Sequence, residues 1–227
     1  MAKKKTTQHD NLQNIESALT KTEQFIEDNQ NLFLYIIGGI VLVVVGYLAI
    51  TRFYIQPRQK EAQSQMFMAE QYFEKDSFNL ALNGDGNYLG FLDIMDEYGI
   101  TRQAKLSRYY AGISYLRLGQ FSEAVDYLSR FKTKDILLGP VSRGALGDAY
   151  LELGEQEKAL KLYEKAATMS DNEMTAPIYL MKAGNLLESM GHPEAALKHY
   201  NNVKKKYPDT MEGRMIDKYI SRVSAKK

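Results

Sequence analysis

Residues 146–166, LGDAYLELGEQEKALKLYEKA, decide the fold, because altered copies of them stand on either side. Residues 111–131 read AGISYLRLGQFSEAVDYLSRF, and residues 183–203 read AGNLLESMGHPEAALKHYNNV. Aligned on Gly112, Gly147 and Gly184, the copies lie 35 and 37 residues apart. Three residues after each anchor come Tyr115, Tyr150 and Leu187, and seven after it come Gly119, Gly154 and Gly191. Twelve after it stand Ala124, Ala159 and Ala196, and sixteen after it Leu128, Tyr163 and Tyr200. A fixed period of this length marks an array of stacked supersecondary units.

Each offset has a physical reason. A glycine anchor lets two antiparallel helices approach closely, and the large side chain one turn later fills the groove between them. The second glycine ends the first helix, where a left-handed backbone angle is needed. The alanine is the small contact point of the second helix, and the Tyr or Leu beyond it is expected to pack against the next unit. Two helices and a tight turn, repeated, predict a helical solenoid. These residues resemble tetratricopeptide repeats, over three units spanning 104–208, the last closed by Pro208.

The pattern weakens outward. Ala69, Tyr72, Phe78 and Ala81 match it, but Asp76 replaces the turn glycine, so residues 63–103 read as a degenerate repeat. There NGDGN (residues 83–87) interrupts the unit, and YLGFLDIMDEYG (residues 88–99) reads as a displaced second helix. Asn83, Asp85 and Asn87 alternate like calcium-loop ligands, but Tyr88 follows instead of glycine and no closing Glu is present, so a turn is expected. Residues 209–227 place Met215, Ile216, Tyr219, Ile220 and Val223 on one helical face, which predicts a capping helix with a basic tail.

The N-terminal part is of another kind. Leu32 to Ile50 is a run of 19 residues without a charge, which at about 1.5 Å per residue crosses roughly the 30 Å core of a bilayer. Phe33, Tyr35, Tyr47, Phe53 and Tyr54 sit near its two ends, as interfacial aromatics do. It has no polar stripe, unlike most buried core helices, and too much polar chain precedes it for a cleaved signal peptide. We therefore expect one membrane span at 32–54 and a linker at 55–62. Gly39 and Gly46 share a face of that helix and offer a close packing surface within the membrane. In the polar tail at 1–31, Leu12, Ile15, Leu19 and Ile26 recur at helical spacing. They predict an amphipathic helix resting on the membrane surface or binding a partner.

The fold class is thus all-α: a single N-terminal transmembrane helix followed by a tetratricopeptide-repeat solenoid. Composition narrows the function. The chain of 227 residues has 29 basic and 28 acidic residues and no cysteine. That gives no general pull toward nucleic acid and excludes disulfides, thiol nucleophiles and cysteine-based zinc sites. The C-terminal lysines, Lys204 to Lys206 among them, read as a solvated helix face. His9, His192 and His199 have no metal-ligand spacing, and neither a phosphate-cradling loop nor a GxSxG motif occurs. No catalytic residue, metal site or cofactor is expected.

Binding is the better prospect, because a solenoid presents a concave face. In the family resembled, the first helix of each repeat lines that face. The resemblance places Leu106, Tyr109, Ile113 and Leu116 there from the first clear repeat. Gly144, Asp148 and Leu151 follow from the second, and Ile178, Met181, Asn185 and Glu188 from the third. The clamp that some tetratricopeptide domains close on a C-terminal carboxylate needs Lys and Asn where this chain has Tyr109 and Ile113. An amphipathic helix or extended apolar segment suits the face better; alternatively, several of these residues pack on neighbouring helices.

The whole layout resembles the YfgM-type family of bacterial inner-membrane proteins. The matching stretches are FIEDNQNLFLYIIGGIVLVVVGYLAI (residues 25–50) and EAQSQMFMAEQYFEKDSFNLAL (residues 61–82). The resemblance implies an ancillary subunit of the Sec translocon with a cytoplasmic N-terminus and a periplasmic repeat domain. Its implied partners are Sec subunits, a PpiD-like periplasmic chaperone, exported polypeptides and the membrane lipid. Charge bias is divided: Arg52, Arg58 and Lys60 outnumber Lys21 near the span, while Lys3, Lys4 and Lys5 reverse the balance. An envelope assembly factor and a cytoplasm-facing adaptor remain as alternatives.

Overall fold

The computed structural model describes Phe25 and residues 27–225. Leu12, Ile15, Leu19 and Ile26 of the expected amphipathic stretch lie outside the described residues, as do His9, Lys3, Lys4, Lys5 and Lys21. The described residues form helices and connecting turns without strands. Two compact units divide between Pro57 and Arg58.

The first unit contains α1 (Gln30–Ile50), followed by a π-helical turn at Thr51–Ile55. Every side chain of α1 is exposed, and its apolar character runs all round the helix. By length and composition this helix is able to cross a membrane. Gly39 and Gly46 both have open space where a side chain would stand. In the π-helical turn Arg52 Nη1 donates to Gln56 Oε1 at 2.9 Å.

The second unit is a succession of helical hairpins. Helix α2 (Gln56–Glu74) turns back at Asp76 into α3 (Phe78–Asn83) and α4 (Phe91–Glu97). Three regular pairs follow. They are α5 (Arg102–Arg117) with α6 (Phe121–Arg130), α7 (Leu138–Glu152) with α8 (Gln156–Met169), and α9 (Ala176–Ser189) with α10 (Pro193–Lys206). Helix α11 (Met211–Ser224) closes the array. Thr101 and Thr210 cap α5 and α11, their hydroxyls accepting from the Ala104 and Gly213 amides at 3.1 Å.

The repeat offsets translate into contacts. Gly119, Gly154 and Gly191 hold φ of 76°, 79° and 78° in the turns, a region where a Cβ is unfavourable. Asp76, the degenerate unit's substitute, holds φ 55°, which short polar side chains tolerate better than most. The anchor glycines are seats. A Cβ on Gly112 would lie 2.6 Å from Leu128, one on Gly147 2.8 Å from Tyr163, and one on Gly184 would run into the Tyr200 ring. The large residue sixteen positions on therefore covers its own repeat's glycine. For Tyr163 this adds to the expected contact with the next unit, since it shares a core with Tyr179 and Ala183.

In the degenerate unit the second helix is split. Ala81 and Leu82 of α3 and Phe91 and Ile94 of α4 fill one core with Ala62, Met66 and Ala69 of α2. The Asp85 carboxylate accepts the Asn87 and Tyr88 amides at 2.9 and 2.8 Å and the Tyr72 hydroxyl at 2.8 Å. Those donors hold it ionised below the ordinary carboxylate range, the Tyr72 bond foremost. This is a turn organised around one side chain. At the far end Ile216 and Val223 of α11 are fully buried against Val203 and Tyr200, which gives the last repeat its cover.

Candidate functional site

The first helices α2, α5, α7 and α9 line a groove of about 920 Å³. Its apolar wall comes from Phe73 on α2, from Tyr109, Ile113 and Leu116 on α5, and from Phe121 at the start of α6. Aromatic contacts hold that wall: Tyr109 lies 5.5 Å from both Tyr110 and Phe131, and Tyr110 lies 4.9 Å from Phe73. Facing it, α7 offers Asp148 and Leu151, and α9 offers Tyr179 and Lys182. Arg117 and Glu152 bring opposite charges to the ends of α5 and α7.

Asp148 joins three helices. It accepts the Tyr163 hydroxyl of α8 at 2.7 Å and both oxygens receive Lys182 Nζ of α9, at 2.6 and 2.7 Å. The ammonium also stands 5.5 Å from the Tyr163 ring. One repeat on, the Tyr200 hydroxyl donates to Asn185 Oδ1 at 2.8 Å. Asp148 and Asn185 each follow an anchor glycine directly, and each serves the tyrosine sixteen positions beyond that anchor. In the first clear repeat the same two places hold Ile113 and Leu128. The buried phenol and its acceptor come and go together, as a desolvated hydroxyl requires.

Burial, then the bond to Asp148, pushes the Tyr163 hydroxyl far above its ordinary pKa. Burial and the Asp148 charge raise Tyr179 as well, and burial raises Tyr109. The groove phenols are therefore neutral hydrogen-bond donors at any physiological pH. Among the described residues no group of three or more His, Asp or Glu is placed to hold a metal ion.

The structure distributes the sequence-derived positions as follows. Tyr109, Ile113, Leu116, Asp148 and Leu151 line the large groove. Asn185 lines a smaller cleft of about 330 Å³ that shares Asp148, Leu151 and Lys182 with it. Leu106 packs against the N-terminal core and Met181 is buried, 7% exposed, in the C-terminal one. Ile178 is exposed in the first turn of α9. Glu188 accepts Arg222 Nη2 and Nε of α11 at 2.5 and 3.1 Å, a bidentate tie to the cap. Gly144 is the seat of the Tyr179 ring, which occupies the place a Cβ there would need.

Sequence reasoning passed over Phe73 and Lys182. Phe73 belongs to the degenerate unit, where the alignment is weakest. Lys182 had a readable signal, being a base 34 residues after Asp148, close to one repeat.

Family models of the tetratricopeptide repeat match residues 106–135, 142–173 and 179–210. The three regular helix pairs thus each match the tetratricopeptide repeat. Two crystal structures of a Podosopora anserina kinesin light chain candidate with nearly identical TPR-like repeats, one of them of a point variant, share the fold. Each has a TM-score of 0.56 at 14% identity, covering 74% of this chain and 86–87% of the other. No curated protein matches the chain in sequence. A fold of this kind implies a protein-binding scaffold or adaptor, and proteins built from these repeats are generally non-catalytic.

Proposed function

We propose that this protein is a non-enzymatic, membrane-anchored scaffold whose groove of first helices holds an apolar helix or extended segment of another protein. The observation that carries the reading is the groove itself. One wall is aromatic and aliphatic, the other has Asp148 and Lys182 already paired to each other. A ligand therefore meets apolar surface beside a charge pair that is already made, with Arg117 and Glu152 at the ends of α5 and α7. The apolar all-round α1 supports a membrane anchor, with Gly39 and Gly46 free to pack on another membrane helix.

The resemblance to the YfgM-type layout carries the reading further, to a chaperone cofactor of the Sec export channel in the bacterial inner membrane. In that arrangement the N-terminus is cytoplasmic and the repeats are periplasmic. The groove then receives a PpiD-like chaperone or an emerging exported chain. The cytoplasm-facing alternative is favoured by one observation, the excess of Arg52, Arg58 and Lys60 on the C-terminal side of the span. A C-terminal alkaline-phosphatase fusion separates the two: activity is expected, and an inactive fusion of a stable chain rules out periplasmic repeats. Gentle detergent extraction of the tagged protein tests the assignment to the channel. Sec subunits are expected among the co-purified proteins, and their absence from intact complexes removes that assignment.

A further inference from the structure

Each of the four connections between successive hairpins carries, or leads directly into, an exposed, large apolar side chain. These are Ile100, Ile136, Met174 and Met211, with 58%, 66%, 66% and 72% of their surface open. Their spacing of 36, 38 and 37 residues follows the repeat. In a helical-hairpin array such connections share one edge, and direct bonds hold three of them there. Asn172 Nδ2 donates to the Ile136 carbonyl at 3.3 Å, and the Tyr207 hydroxyl donates to Asp171. Ile178 and Met215 add exposed apolar surface beside Met174 and Met211. The opposite edge, made by the turns within hairpins, carries Asp76, Gln120, Glu155 and His192 at the corresponding places, with the partly exposed Leu153 an exception.

The apolar edge is also where the chain enters the repeat domain. Arg58 Nη2 donates to the Glu97 carbonyl at 2.5 Å, and its guanidinium lies over the Tyr98 ring, beside Ile100. Seven residues separate Ile50 from Arg58, a reach of at most about 28 Å even when fully extended. Chain length alone thus keeps Arg58, where the repeat domain begins, within that reach of Ile50. Exposed bases border the row: Arg130, Lys132 and Lys134 before Ile136, and Lys204, Lys205 and Lys206 before Met211. Of the acids there, Asp135 is exposed and accepts the Leu137 and Leu138 amides, Asp171 is exposed and bonded by Tyr207 and Lys206, and Asp217 pairs with Lys204. Glu173 and Asp209 stay in solvent, so the apolar side chains rather than net charge carry the contact.

We infer that this edge rests on the membrane surface, the row from Ile100 to Met211 seated among lipid headgroups with the bordering lysines reaching the phosphates. The repeat domain then touches the bilayer along this edge. This rests on the reading of α1 as a membrane span, and the test keeps the two apart. The chain has no cysteine, so single cysteines are introduced into the full-length protein, labelled with a fluorophore and reconstituted into nanodiscs containing headgroup nitroxide lipids. Ile136→Cys and Met174→Cys labels are expected to be quenched several-fold more than Gln120→Cys and Glu155→Cys labels on the opposite edge. A Val43→Cys label is read with a nitroxide deep in the acyl chains. Equal quenching at the two edges with position 43 quenched overturns the edge contact alone. An unquenched position 43 overturns the anchor and the edge contact with it. Shielding of positions 136 and 174 by a bound protein, without lipid quenching, also overturns the proposal.

Discussion

Gly184 and Gly191 stand seven residues apart in one repeat and resist substitution for different reasons. Gly184 lies inside α9, where alanine would favour the helix by about 1 kcal/mol. Its Cβ would run into the Tyr200 ring, and overpacking of that kind costs about 1–3 kcal/mol. Gly191→Ala meets no atom within 4 Å, but its φ is 78°, a cost of about 1 kcal/mol. Urea unfolding is therefore expected to show both variants destabilised. Gly184→Ala should cost less in a Tyr200→Leu background than in the native chain, whereas no side-chain change lessens the cost of Gly191→Ala. A second prediction concerns Asp148. Tyr163→Phe removes one hydrogen bond, leaves Asp148 with Lys182, and should cost about 1 kcal/mol. Asp148→Leu strands the Tyr163 hydroxyl, whose residue is 2% exposed, and should cost about 2–3 kcal/mol. Equal losses in the two variants would contradict the assignment of Asp148 as the phenol's acceptor. The glycines were legible in the sequence because their spacing is fixed. The acceptors were not, since Asp148 and Asn185 read equally well as polar groove residues.

Among the elements, α11 has the clearest energetic role. It brings Ile216 and Val223, 1% and 0% exposed, onto Tyr200 and Val203 of the last repeat, and its Arg222 binds Glu188. Solenoid ends need such a cover because the final repeat has no neighbour to bury its face. Ile216→Ala should cost about 3 kcal/mol, the usual range for a buried large-to-small change. Because repeats couple to their neighbours, the loss is expected first as fraying of α9 and α10 in hydrogen exchange, with α5 and α6 unaffected. Uniform loss of protection would instead mean that the array unfolds as one block. The cap was readable from one apolar face in the sequence. The split of the degenerate unit into α3 and α4 was visible only as an interruption, because the device that organises it, Asp85 bonded by Tyr72 and two amides, joins residues 13 apart. The apolar edge escaped sequence reading for a related reason: Ile100, Ile136 and Met174 lie in loops and Met211 opens α11, so no periodicity of a helix face reveals the row.

Across the whole molecule, the buried tyrosines set an alkaline limit. Burial, reinforced by Glu188, pushes Tyr200 up to about 12, and burial and Asp171 push Tyr207 up to about 12. An unfolded tyrosine titrates near about 10, so between those values the folded chain retains protons that the unfolded chain has lost. Stability is then fully present below about pH 10 and falls as pH rises toward 12. A titration of the unfolding midpoint should show a plateau through neutral pH and a decline above about 10, shallower in Tyr200→Phe. The solenoid and apolar helix were both legible from pattern alone, since one depends on spacing and the other on length. What the groove receives depends on how four helices are brought together, and no single repeat contains that. The most direct measurement of the central claim is photo-crosslinking in intact cells from a reactive residue at position 113, in the groove, and at Lys161, exposed on α8 away from it. The account predicts that position 113 traps a discrete protein, that position 161 does not, and that Leu151→Glu abolishes the product while the fold persists. Equal crosslinking from both positions, or a product indifferent to Leu151→Glu, would contradict it.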